Sequence, residues 1–183
     1  MTTVTLSPRV QRFIDWLQSN KEDRGVMANL RRALSEATEH YAWPHLAHFC
    51  DLANDNERTI FETVAACFAF HPELTTEGNL GTTLRQIALA QRPAEQSPNE
   101  AIEHFERRFS RLITATTVDE LCQQLRSIIQ LAKSQAIPVN YGQLLEDLLN
   151  WESSWQQIRV EWAAAYYGPP AETEPPSAEA EQA

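Results

Sequence analysis

The sequence predicts an all-α fold, a helical bundle in two small lobes with no β-sheet. Long stretches free of glycine and proline, rich in Ala, Leu, Gln, Glu and Arg, favour helix, and the 183 residues include only five glycines. Apolar residues recur at spacings of three and four, which puts them on one face of a helix. No segment alternates apolar and polar residues with period two over a useful length. At 43% hydrophobic residues the chain can bury one domain's core, or those of two small lobes.

Ser7-Pro8 opens the first helix, because proline suits the first helical position and serine can cap it. Its apolar face carries Val10, Phe13, Ile14 and Leu17. Asp23 caps a second helix running to about Glu36, with Met27, Leu30 and Leu34 expected to be buried. Pro44, after Trp43, opens a short third. A fourth runs from about Asn56 through TVAACFAF and stops at His71-Pro72, since proline cannot continue it. GNLG at 78–81 begins a fifth. Ser97-Pro98-Asn99-Glu100 and Thr117-Val118-Asp119-Glu120 both have the form of a capping box. The last helical region begins at Asn140. Its residues Leu144, Leu148, Trp151, Trp155, Ile158 and Trp162 are spaced 4, 3, 4, 3 and 4, a seam near 3.5 residues per turn. Leucine and isoleucine share that seam, so its tryptophans are expected in the core rather than as a base-stacking platform.

After Tyr167, GPPAETEPPSAEAEQA holds four prolines, four glutamates and no large apolar residue. It cannot bury enough surface to offset the entropy of ordering, so 168–183 reads as a disordered acidic tail. The expected break between an N-terminal lobe (1–92) and a C-terminal lobe (93–167) falls in QRPAEQSP, 91–98. No apolar run approaches the roughly 20 residues that cross a membrane, and the N-terminus lacks a signal-peptide core. The expectation is a soluble, cytoplasmic protein.

The sequence offers little catalytic chemistry. Cys50, Cys67 and Cys122 are widely spaced and form no CxxC, so they read as small buried hydrophobes in a reducing compartment. His45 and His48 lie three apart near Cys50 and Asp51, but no second ligand pair accompanies them, and no metal or other cofactor is expected. Asp147 and Glu152 lie among tryptophans without a nucleophile or a phosphate loop. The reading is not an enzyme.

The arginines are the exception. The formal net charge is −10, and still −6 without the tail's four glutamates, yet thirteen of fifteen basic residues are arginine. ERRFSRLI at 106–113 places three within five residues, and LRRAL at 30–34 places two side by side. At about 100° per residue, Arg107 and Arg111 fall opposite the apolar face of Ile102, Phe105, Phe109, Leu112 and Ile113, with Arg108 on the flank. Arg24 and Arg31 align, Arg32 points outward, and Arg126 and Lys133, seven apart, repeat the flank pattern. Guanidinium suits phosphate and carboxylate alike. Glu103–Arg107 and Arg32–Glu36 could form i,i+4 pairs, each contributing about 0.3–0.5 kcal/mol. Spacing alone leaves both readings open.

Six pieces in order resemble the CasB family, the small subunit of the type I-E CRISPR surveillance complex Cascade. They are DRGVMANLRRAL, FAFHP, GNLGTTLRQIA, ERRFSRLITA, DELCQQLRSIIQLAKSQAIPVNYGQLLEDLLNW and the closing WAAAYY, covering about residues 10–167. The resemblance implies an all-α fold in two lobes and a non-catalytic role in antiviral defence. It implies as partners the backbone and large subunits of Cascade, crRNA, target DNA and a second copy of the chain. It also implies a basic strip that helps hold the RNA–DNA hybrid and the displaced strand, whose sequence the guide reads by pairing. Here that strip is Arg31, Arg32, Arg107, Arg108 and Arg111, with Arg24, Arg85, Arg126 and Lys133 as extensions. The acidic net charge implies that assembly supplies much of the affinity. The rival is a structural adaptor whose arginines meet acidic partner surfaces.

Overall fold

The computed structural model describes residues 6–168. Among these, nine α-helices follow in order: α1 (Pro8–Ser19), α2 (Arg24–Arg31), α3 (Trp43–Leu46), α4 (Asp55–Phe70), α5 (Leu80–Ala90), α6 (Pro98–Ile113), α7 (Val118–Ser134), α8 (Tyr141–Leu149) and α9 (Trp151–Tyr167). Short 3-10 turns at Arg32–Leu34 and Glu39–Tyr41 join α2 to α3. The fold is all-α; its one β contact among the described residues is an isolated bridge between Leu74 and Val139. The acidic stretch expected to form a tail lies, apart from Gly168, outside the described residues.

Local chemistry starts the helices where the sequence expects it. Asp23 accepts the Gly25 and Val26 amides, Asn54 caps α4, and Asn79 and Ser97 form complete capping boxes with Thr82 and Glu100. Two expected caps differ. Thr117 accepts the Glu120 amide, but the Glu120 carboxylate turns to the Thr116 amide and hydroxyl, so the box is half made. Ser7 makes no side-chain cap; its amide and hydroxyl both donate to Glu146, which ties α1 to α8.

α4 lies at the centre. Ile60 through Ala69 are all buried, an all-round pattern that only a helix covered on several sides can hold. α2 packs on one side of it, and α7 and α8 on others. Its C-terminal end is held by Tyr141, whose hydroxyl donates to the carbonyls of Cys67 and His71 at 3.2 and 2.7 Å. A second layer brings α5 against α6 and α9. Buried residues before and after the 91–98 connection belong to one continuous core.

Two expectations of burial fail, each because a helix breaks. α2 ends at Arg31 and gives way to a 3-10 turn, which shifts the helical phase and leaves Leu34 37% exposed. The last helical region divides at Asn150, and Ser154 has non-helical φ/ψ (−134°, 18°). The seam is rotated there: Trp151 and Trp162 are fully buried, while Trp155 is 39% exposed under the guanidinium of Arg159. Trp155 therefore leaves the core assignment.

Candidate nucleic-acid interface

The arginines of the second helix reach the surface because that helix is short. Met27 and Leu30 anchor it on α4, so the next two positions, Arg31 and Arg32, fall at its exposed end. Arg31 donates from Nε to the Ala69 carbonyl at 2.8 Å, which fixes the direction of its guanidinium fork. Arg32 lies over the Tyr41 ring, 4.6 Å from its centroid. Arg126, on the exposed side of α7, meets both across a cleft of about 470 Å³ that Phe70 also borders. Beside it, Lys133 donates to the Phe70 carbonyl at 2.8 Å, its ammonium 4.1 Å from the ring centroid. Arg31 and Arg126 are 95 positions apart in the chain, and only the packing of α2 and α7 on α4 brings them together.

A second group lies on α6. Its apolar stripe, Ile102, Phe105, Phe109 and Leu112, is buried, with Phe109 stacked 4.1 Å from Tyr166 of α9 and Ile113 half-buried. Arg107 and Arg111 are exposed as the projection expects, and Arg108 lies along the Phe105 ring at 5.4 Å. The Arg111 carbonyl accepts the Gln124 amide at 3.4 Å, which joins the end of α6 to α7 two residues before Arg126.

The two outlying candidates have other surroundings. Arg24 is exposed at the first position of α2 and does not line the cleft. Arg85 is half-buried and donates through Nη1 to the Tyr166 and Tyr167 carbonyls, both at 2.8 Å. It closes the C-terminal end of α9, a favourable place for a cation.

Charge pairing is sparse. Among the described residues the ion pairs are Arg9–Glu57 and Asp55–Arg58. Neither Glu103–Arg107 nor Arg32–Glu36 forms: Glu36 falls beyond the turn that ends α2, and Glu103 stays apart from Arg107. None of the nine candidate cations is committed to a carboxylate there.

Other titratable groups are packing residues. Burial pushes the thiols of Cys50, Cys67 and Cys122 up to about 11, 12 and 11, so they stay protonated at neutral pH. His45 approaches Asn29, His48 is exposed, and no His/Cys/Asp/Glu cluster able to hold a metal occurs among the described residues. Asp147 is buried, accepts hydrogen bonds from Trp162 Nε1 and Gln143 Nε2, each at 2.7 Å, and is raised to about 6 by burial. No described helix is long and apolar enough to cross a membrane.

Phe70 and Tyr41 were not among the residues the sequence singles out. Phe70 ends an unbroken apolar run and Tyr41 lies outside any periodic segment, so neither pattern marks them as exposed aromatics under cations.

This arrangement sits on a known fold. The CRISPR-associated protein Cse2 of Thermus thermophilus is 28% identical over 178 residues, spanning 93% of this chain and 97% of its own. The crystal structure of CasB from Thermus thermophilus superimposes with a TM-score of 0.68 at 27% identity, over 90% of this chain and 100% of that one. A chain of a CRISPR RNA-guided surveillance complex shares the fold at 18% identity, with a TM-score of 0.65 over 87% of this chain and 91% of that one. The family profile described as CRISPR-associated protein Cse2 matches residues 26–167, and the chain belongs to that family.

Proposed function

We propose that the chain is the non-catalytic small subunit of a type I-E Cascade complex, and that its arginines hold nucleic-acid backbone without reading sequence. Family membership and the fold shared with a chain of a CRISPR RNA-guided surveillance complex support the assembly. The observation that carries the binding role is the set of cations that have no carboxylate partner among the described residues, Arg31, Arg32 and Arg126 at one cleft and Arg107, Arg108 and Arg111 on α6. A cation that stabilised the fold by ion pairing would have a carboxylate beside it, as Arg9 and Arg58 do. Released counterions make backbone binding favourable even on an acidic protein, provided the positive surface is local. Partners are the other Cascade subunits, crRNA, target DNA and a second copy of the chain, in the cytoplasm.

Replacing Arg31, Arg32, Arg107 and Arg111 together by alanine tests this. None of the four lies on a buried apolar stripe, so the fold persists. Affinity of the assembled complex for target DNA falls, and the slope of log K against log salt becomes shallower by about 0.7–0.9 for each phosphate that the variant no longer neutralises. An unchanged slope would instead favour an adaptor whose arginines meet acidic protein surfaces.

A further inference from the structure

The cleft beside Arg31 has a lining that phosphate binding alone does not explain. Its floor is Ala66, Cys67 and Ile129, and one wall is Phe70, 39% exposed at the last turn of α4. A single exposed aromatic is ordinary on a protein surface, but two beside one cleft, each under a cation, form a defined surface. Phe70 is covered by a cation, Lys133, and the neighbouring Tyr41, 44% exposed, by Arg32. Arg31, Arg32 and Arg126 stand at the rim, and no carboxylate is among the described residues lining the cleft. Its volume, about 470 Å³, is in the range of small-molecule sites. A phosphate needs only the rim; an acidic peptide needs neither the apolar floor nor an aromatic wall. A flat apolar ring attached to a phosphate uses all three.

We propose that this cleft receives an unstacked base of single-stranded nucleic acid, with Phe70 as its stacking surface and Arg31, Arg32 and Arg126 on the adjoining phosphates. The proposal rests on the nucleic-acid reading above and adds a contact to the base. Every base has a π-face, so the cleft is tolerant of sequence. Gln130, Ser35 and Thr38 border it with polar groups that can reach a base edge. The buried Cys67 thiol, held up to about 12, contributes shape and no charge. Arg32 and Lys133 reinforce the aromatic surfaces and offset the phosphate charge that a bound strand brings.

The test compares the full-length chain binding a labelled oligothymidylate and an abasic strand of the same length at low salt, read by fluorescence anisotropy. The wild-type chain prefers the strand with bases by about fivefold or more, the lower end of measured base–aromatic stacking. Phe70→Leu keeps an apolar side chain and abolishes the preference, whereas Phe70→Tyr retains it, and the salt slope is the same in all three. Equal affinity for the two strands overturns the proposal, and so does a preference that survives Phe70→Leu. Absence of binding to either strand overturns it as well. The phosphate grip is judged separately, by the salt slope of the assembled complex.

Discussion

Replacing Asp147 by asparagine exposes the electrostatic cost hidden at the junction of α8 and α9. Asp147 is 5% exposed and accepts the Trp162 indole N–H and a Gln143 amide N–H, each at 2.7 Å. Burial raises its carboxyl from the ordinary 3.8 to about 6; the two hydrogen bonds oppose the rise, and Glu161 and Glu146 add to it. A carboxyl that binds its proton more tightly in the folded chain stabilises the fold in full below about pH 3.8, and the contribution is lost as pH rises through about 6. At about 1.4 kcal/mol per pH unit, that interval amounts to about 3 kcal/mol. Asparagine still offers Trp162 an acceptor and offers Gln143 a donor once that amide turns over, yet it never ionises. The stability of Asp147→Asn relative to wild type should therefore improve by about 3 kcal/mol between about pH 4 and pH 7. Urea unfolding of both proteins at each pH measures this, and the difference cancels the titration of every other carboxylate. A difference that does not change with pH refutes the reasoning.

Trp155→Ala should lower stability by about 1 kcal/mol, well below the cost of a buried tryptophan, since the residue is 39% exposed and its clear contact is the Arg159 guanidinium. Trp162→Ala should cost about 3–5 kcal/mol and free the Asp147 carboxylate; equal thermal melts for the two variants would contradict the rotated seam. Gly81→Ala should separate α5 from α9, because a Cβ there would meet the Trp162 carbonyl oxygen well inside van der Waals distance, at 2.0 Å. Overpacking of this kind costs about 1–3 kcal/mol, read as a fall in the urea midpoint, and an unaltered midpoint would mean that the two helices are not in tight contact.

Helix starts were legible in the sequence because capping is local chemistry. Asp23, Asn79 and Ser97 each meet donors within three residues, and the side chain that identifies the cap also makes it. Helix phase was legible only while the helix stayed regular. One 3-10 turn after Arg31 carried Leu34 outward, and one irregular residue, Ser154, left Trp155 exposed between Trp151 and Trp162. Neither break has a proline or glycine to announce it. The candidate arginines on α6 were found from a single helix, since Arg107 and Arg111 depend only on the apolar stripe opposite. The cleft was not, because Arg126 joins Arg31 through packing on α4, and Phe70 has the same apolar character as the buried residues before it. The role of Arg85 was equally hidden, as its acceptors lie 81 and 82 residues away.

The Tyr141 hydroxyl on the His71 carbonyl spans 70 residues, and that separation has a meaning in time. A ribosome adds about 5–20 residues per second, so the end of α4 is made about 4–14 s before the residue that secures it. Through that interval Phe68 lacks the ring of Tyr141 that later packs edge-on against it, 5.5 Å away. Of the other surfaces that cover α4, α7 (Val118–Ser134) is made only late in that interval and α8 only from Tyr141 onward. The emerging chain thus presents its central helix covered on the α2 side alone, which makes the first half the segment most exposed to chaperone capture and self-association during synthesis. A pause in translation between 70 and 141 would lengthen that exposure, whereas a pause after α8 has formed would leave the central helix already enclosed.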